Sequence, residues 1–285
     1  DHETMFDFCV LTSALNFSYR DFETGEVYTY TDDDGTWRGA FAMMRAFTKA
    51  LNNDIPITDG QYLRSITVDE TRKLFESQSD DDLSIPLLQE RHAILVSMGE
   101  TLTRRLNGHF HELIPDIEQS YPLFSRTVDE GEALGLVDAL VHLFPLAFDD
   151  TRQLRGERIH FDKKAQLAAA MIHGRFQKMP MYVLDGISEL TLFADYVIPA
   201  ILRSENLLSY EEGLADDVDG GRPIAENSQR EIEIRAATVV IGDALLETMN
   251  ETRSRPVTIP QLDYCIWEYG RSQEIPYHIT RTTSY

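Results

Sequence analysis

The sequence predicts a mainly α fold with minor β, on three observations. Apolar residues recur at the helical period along most of the chain, Ser/Thr–Glu capping boxes open several of those stretches, and strand-like pieces are few and short. In chain order, Val27 to Tyr30 followed by Asp34-Gly35 and Thr36-Trp37 reads as a small β-hairpin near the N-terminus. Thr67-Val68-Asp69-Glu70 is a capping box whose short helix runs through Phe75. The acidic stretch Asp80-Asp81-Asp82 leads to Pro86 at a helix start. From there Leu88, Leu95, Met98, Leu102 and Leu106 keep helical spacing until Asn107-Gly108 stops the run. A second box, Thr127 with Glu130, is expected to open a helix carrying Leu134, Val137, Val141 and Phe144. Arg158 to Phe161 is a short-strand candidate. Lys163 to Gln177 is an Ala-rich helix, Ser188 to Arg203 another, and Ser228 with Glu231 caps a long helix to about Met249. No repeat, long linker or low-complexity tract divides the chain, so a single helical domain over residues 1–285 is expected.

The charge balance excludes whole classes of partner. With 26 Lys+Arg against 48 Asp+Glu the formal charge is −22. A duplex-binding surface must neutralise phosphates with basic residues, and anionic membranes impose the same demand, so neither nucleic acid nor membrane is expected as a partner. The acid excess does not signal disorder, because 42% hydrophobic and 10% aromatic residues suffice for a packed core. Cys9 and Cys265 lie far apart in apolar runs and read as buried free thiols. The opening Asp1-His2-Glu3-Thr4-Met5 has no signal-peptide pattern, and no apolar run approaches the ~20 residues of a membrane span. A cytoplasmic, soluble protein is the expectation.

Several motifs fail on inspection. An EF-hand ending at Gly35 of Asp32-Asp33-Asp34-Gly35 would need an acid at Tyr30 and a Glu at Phe41, so the run reads as a turn. His109 and His111 flank Phe110, but no Cys or third ligand stands near them at metal spacing, so no metal is expected. There is no Gly-x-Gly-x-x-Gly, P-loop or Gly-x-Ser-x-Gly, and no cofactor is expected.

One segment carries possible chemistry, Thr191-Leu192-Phe193-Ala194-Asp195-Tyr196-Val197-Ile198-Pro199. On a helix, Leu190, Phe193, Val197 and Ile201 would share an apolar face that sets Asp195 among apolar and aromatic neighbours. Pro199, four residues beyond Asp195, has no N–H for the Asp195 carbonyl, so a kink is expected there. An acid beside a helix defect is a candidate functional group. The alternative is a helix acid that pairs with Arg203 or caps a break.

These residues resemble the queuosine salvage family, the queuosine 5′-phosphate N-glycosylase/hydrolases. The resemblance runs in order from about Phe6 to Tyr285. Its pieces are Leu15-Asn16-Phe17-Ser18, Ile55-Pro56-Ile57-Thr58, Ile85-Pro86-Leu87 with Glu90-Arg91, and Lys163-Lys164-Ala165-Gln166. Further along come Phe193-Ala194-Asp195-Tyr196 with Pro199, Glu231-Ile232-Glu233-Ile234-Arg235, Leu262-Asp263-Tyr264 with Trp267, and finally His278, Arg281 and Tyr285. The resemblance implies a fold related to helix-hairpin-helix DNA glycosylases and hydrolysis of the N-glycosidic bond of queuosine 5′-monophosphate, releasing queuine. The family's catalytic aspartate falls on Asp195. The family usually carries a further helical segment upstream that this sequence does not include. This sequence departs from the family at Val197, where Arg is common, and at Arg20 and Asp162, where aromatics are usual.

In that frame Phe17 and Phe193 would sandwich the base, beside Tyr196, and Asn16 would read a base edge. Their ordinary counterparts are core packing and a turn cap. Glu231 reads first as a helix cap. Arg235, on an otherwise apolar helix, requires a buried carboxylate, with Asp195, Glu231 and Asp263 as candidates. Lys163, Arg281 and Tyr285 would hold the 5′-phosphate. Asp263 would bind the substrate's secondary ammonium or pair with Arg235, and Trp267 is expected in the core. A non-catalytic queuine- or nucleotide-binding protein and a DNA base-excision glycosylase are the competing readings, the second opposed by the charge.

Overall fold

Asp1 starts the first helix by accepting the Thr4 amide on its carboxylate at 2.7 Å. In the computed structural model, which describes residues 1–79, 82–114, 119–128 and 131–285, that helix is α1 (His2–Ala14). Every residue from Cys9 to Ala14 is buried, so α1 is a central helix with no solvent face in its second half. The expected hairpin forms as β1 (Thr29–Asp32) and β2 (Gly35–Arg38), antiparallel with Asp32 opposite Gly35, so Asp33 and Asp34 make the turn. Arg45, on α2 (Ala40–Asn52), pairs with Asp32 at 2.7 Å and with Asp34, fastening the turn to the helix.

α3 (Gly60–Leu63) is followed by α4 (Val68–Leu74), where both halves of the Thr67/Glu70 capping box are made. α5 (Leu88–Arg105) ends where Asn107 and Gly108 take positive φ. α5 crosses α3 so closely that a Cβ on Gly99 would collide with the Arg64 amide nitrogen and the Leu63 carbonyl carbon. Backbone cannot swing aside as a side chain can. Gly99→Ala is therefore expected to lower stability by about 3 kcal/mol, read as a drop in urea midpoint at unchanged slope.

The middle of the chain departs from expectation. Small pairings β3 (Tyr121–Pro122), β4 (Arg126–Val128) and β5 (Gly131–Ala133) precede α6 (Leu136–Leu143) and α7 (Pro145–Phe148). Thr127 does not open a helix; it pairs with Glu132 in the β4–β5 hairpin, and Glu130 lies outside the described residues. Gly135, wedged against the Leu123–Phe124 backbone, sets the helix start instead, with the Val137 amide donating to the Leu123 carbonyl. The strand expected at Arg158 forms as β7 (Glu157–His160), paired with β6 (Thr151–Leu154).

α8 (Lys163–Phe176), with Ala165, Ala168 and Ala169 buried, packs against α1, and β8 (Leu184–Asp185) pairs with β3. The helix expected from Ser188 does not form: a 3₁₀ turn at Ile187–Glu189 and irregular chain precede α9 (Val197–Ser204). α10 (Glu212–Asp219), the Ser228-capped α11 (Gln229–Asn250) and α12 (Ile259–Arg271) complete the order. Cys9 is buried as expected, but Cys265 is exposed, because it falls on the outer face of α12; both thiols are free. The architecture is thus mainly α, with two-stranded β pairings only among the described residues. No helix among them is long and apolar enough to cross a membrane.

Candidate active site

The turn after α1, the N-terminus of α8, the irregular chain before α9 and the inner face of α12 converge on a cleft of ≈ 1210 Å³. Arg91 of α5 fixes the first of these. Fully buried, it donates to the carbonyls of Leu15 (2.7 Å), Phe17 (2.6 Å), Ser18 (3.0 Å) and Pro86 (2.9 Å), and its guanidinium lies 4.2 Å from the Phe17 ring. A buried cation without a carboxylate is tolerated because four carbonyls replace its water. Burial still pulls it down, to about 10.

Asp195 is not inside a helix. It precedes α9, and its Oδ1 accepts the Val197 amide at 2.7 Å and the Ile198 amide at 3.1 Å. Pro199 therefore occupies the first turn of α9, where a missing N–H leaves no helical bond unmade, and the expected kink is absent. The physical reason is local: the carboxylate caps the helix whose proline can stand only near its start. Leu190 and Phe193 consequently sit in irregular chain, not on a helix face with Val197 and Ile201. Both amide bonds fall on Oδ1, so Oδ2 is not committed to this cap. Burial pushes Asp195 above the usual carboxylate range, while Lys163 and the two amides oppose that shift.

Lys163, the first residue of α8, donates to the Asn16 side-chain oxygen at 2.8 Å and to the Asn16 carbonyl at 3.2 Å. Burial lowers its ammonium, and the charges of Asp195 and Asp263 hold it up. Asp263 accepts the Phe193 amide at 3.0 Å. Burial and the neighbouring Asp195 charge push its carboxyl up to about 8. Two carboxyls thus face one cleft, and burial together with the Asp195 charge favours the protonated form of Asp263. Because its folded value lies above the unfolded 3.8, the stability Asp263 contributes is complete below 3.8 and is lost as pH rises through about 8. Asp263→Asn keeps the acceptor for Phe193 and removes this titration. Thermal melts from acid to pH 9 (roughly one unit above that value) are expected to show a smaller fall in Tm for the variant than for the wild type.

Of the residues expected at the site, Asn16, Phe17, Lys163, Phe193, Asp195, Tyr196, Asp263 and Tyr285 line the cleft. Glu231, Arg235 and Arg281 do not. Arg281 is exposed and pairs with Glu90 at 2.9 Å, stacking on Phe22. Arg235 is fully buried behind the cleft, where it forks onto Asp150 (2.8 and 2.5 Å) and donates to the Ala194 carbonyl at 3.0 Å. Its principal carboxylate is Asp150, which is not among the sequence candidates; of those candidates, Glu231 also pairs with it, more loosely, at 3.6 Å. Glu231 lies 3.6 Å from Arg235 and accepts the Asn227 amide at 3.2 Å; the Ser228 hydroxyl caps α11 by accepting the Glu231 amide. Asp263 does not meet Arg235 in any hydrogen bond or ion pair among the described residues.

Sequence reasoning missed part of the wall. Trp267, expected in the core, is half-buried and lines the cleft with Phe41, their rings 5.6 Å apart. Arg20 and Arg38 also line it. Arg20 lies 4.5 Å from the Tyr277 ring, and Arg38 makes no ion pair among the described residues. Each departs from a local signal: Arg38 merely ends a short strand, and nothing in sequence brings it beside Arg20. Val197 rests against Gly270, which has no room for a Cβ there.

The whole chain, residues 1–285, matches the family described as queuosine salvage protein. It is 31% identical to a queuosine 5′-phosphate N-glycosylase/hydrolase of Sphaerobacter thermophilus, over 99% of this chain and 82% of the relative. A protein of the same name from Bos taurus is 30% identical over 99% of this chain and 82% of its own length. One from Mus musculus is 30% identical over 96% and 80%.

Proposed function

The chain belongs to the queuosine salvage protein family, and we propose from that membership and from Asp195 that it hydrolyses queuosine 5′-monophosphate to queuine and ribose 5-phosphate. The observation that carries the reading is a buried carboxylate at the cleft with one oxygen pinned by two amides and the other outside that cap. Queuine is a 7-deazaguanine, with carbon at position 7. The leaving base therefore has no N7 to protonate, and more of the barrier must be lowered at the sugar. A fixed carboxylate near C1′ stabilises the oxocarbenium-like sugar as the C1′–N9 bond breaks and its electron pair leaves with the base. Asp195 Oδ2 then takes a proton from the attacking water while the water oxygen bonds C1′. Asp263, protonated in the free enzyme, supplies a proton to the departing base. Covalent attack by Asp195 is the second route, distinguished by trapping a glycosyl-enzyme.

Asn16, held by Lys163, presents its amide to the base edge, and Phe17, Phe193 and Tyr196 supply flat walls. Arg20 and Arg38 are two cations at one wall, and we assign them the 5′-phosphate with Lys163 deeper in the cleft. Arg235, Asp150 and Glu231 hold the backbone before Asp195 and do not touch substrate. The mainly α body supports kinship with the helix-hairpin-helix DNA glycosylases, and the charge of −22 supports a free nucleotide, not a duplex, as substrate.

The test is incubation with queuosine 5′-monophosphate and chromatography of the products. Free queuine in step with ribose 5-phosphate is expected. Saturable binding with no queuine released would favour a carrier, the reading left open by the departures at positions 20 and 197.

A further inference from the structure

Asp7 lies one turn into α1 with its side chain almost wholly buried. Facing it, more than a hundred residues on, His109 and His111 flank the buried Phe110 at the 3₁₀ turn Phe110–Leu113. His111 Nδ1 stands 3.1 Å from Asp7 Oδ1, and His109 Nδ1 stands 3.4 Å from Asp7 Oδ2. The two imidazoles stack, with centroids 5.1 Å apart and planes inclined by 22°. The third ligand that the His-Phe-His spacing lacks in sequence is thus supplied by α1, and one ligand atom from each of the three residues falls within 4.8 Å of the others.

These separations are those of neighbouring ligands around one ion. Bonds of about 2.0–2.1 Å opening at a tetrahedral angle put donor atoms roughly 3.3 Å apart. The orientation of the acid is already fixed, because Asp7 Oδ1 accepts the His111 amide at 2.7 Å. The second nitrogen of His111, Nε2, lies 3.9 Å from Glu3 Oε2, a nearby outer carboxylate that a small side-chain shift would bring onto the ring. Two imidazoles and one carboxylate suit zinc-class transition ions and not calcium or magnesium, which prefer all-oxygen shells. The partly exposed histidine rings leave room for water as the remaining ligand.

We propose that Asp7, His109 and His111 form a binding site for a zinc-class divalent ion, with Glu3 orienting His111. None of the three ligands lines the cleft. The ion clips α1 to the turn at 109–111, closing a long loop of chain, and α1 runs directly into Asn16 and Phe17. Its effect is therefore on the persistence of the fold, and the chemistry at Asp195 does not require it.

Chelator-treated protein, titrated with Zn²⁺ by calorimetry and with Co²⁺ by visible absorption, tests this. The expected results are one ion per chain, intense tetrahedral Co²⁺ bands, and a Tm that rises with Zn²⁺. His109→Ala, whose ring is partly exposed and whose loss leaves the fold intact, should abolish all three. Glu3→Gln should keep the stoichiometry but weaken affinity by roughly tenfold. Wild-type protein with no stoichiometric ion and no Tm response would overturn the proposal, as would His109→Ala and His111→Ala proteins that bind like the wild type. The latter result identifies an ordinary hydrogen-bonded cluster.

Discussion

Replacing Asp195 by Asn is expected to lower turnover of queuosine 5′-monophosphate by about 10³-fold or more, with Tm little changed. The two halves of that expectation come from the two oxygens. Asn retains an acceptor at Oδ1 for the Val197 and Ile198 amides, so the first turn of α9 stays capped. It loses the negative charge that opposes the sugar cation and the base that takes the water's proton. The cleft walls, Lys163 and the Arg20–Arg38 pair are untouched, so substrate affinity should remain within a few-fold. Turnover within about tenfold of wild type would remove Asp195 from the chemistry.

Arg235→Met is expected to cost about 3–5 kcal/mol of stability, measured by urea unfolding. Methionine keeps much of the volume between Phe161 and Tyr285, whose rings lie 4.1 and 4.5 Å from the guanidinium. What it removes is the fork onto Asp150 and the donor to the Ala194 carbonyl. Asp150, 1% exposed, then keeps, among the described residues, only Arg152 as an ion-pair partner, at 3.1 Å. Adding Asp150→Asn should recover part of the loss, since a neutral amide costs less to bury than a half-paired carboxylate. If the single variant lost less than about 1 kcal/mol, water must reach Asp150 and the pair is not the clamp described.

Local signals carried much of this fold. The Thr67/Glu70 box, the Asn107-Gly108 stop and the Ala-rich α8 each form where residue spacing places them, because caps and periodicity act within a few residues. Two helix starts were misplaced for opposite reasons. At Thr127 a capping pattern lost to hairpin pairing and to Gly135 wedged on the Phe124 backbone, a tertiary contact. At Ser188 a periodic apolar run lost to Asp195, whose carboxylate caps a helix that starts only at Val197 and renders Pro199 harmless. Asp195 stands out in the sequence as a candidate, and its chemical role is a proposal; what the structure shows is a helix cap, and the kink expected beside it is absent. Asp150 as the partner of Arg235, Arg38 beside Arg20, and Asp7 beside His109 all depend on approaches between distant segments. No spacing rule reports such contacts.

The cap at Asp195 also makes the site observable from its backbone. The Val197 and Ile198 amides donate directly to the Asp195 carboxylate, so their proton shifts record its ionisation. Their exchange with solvent records how often that oxygen lets go. A titration can thus be followed at the acid itself, in a nitrogen-labelled spectrum, while substrate occupies the cleft.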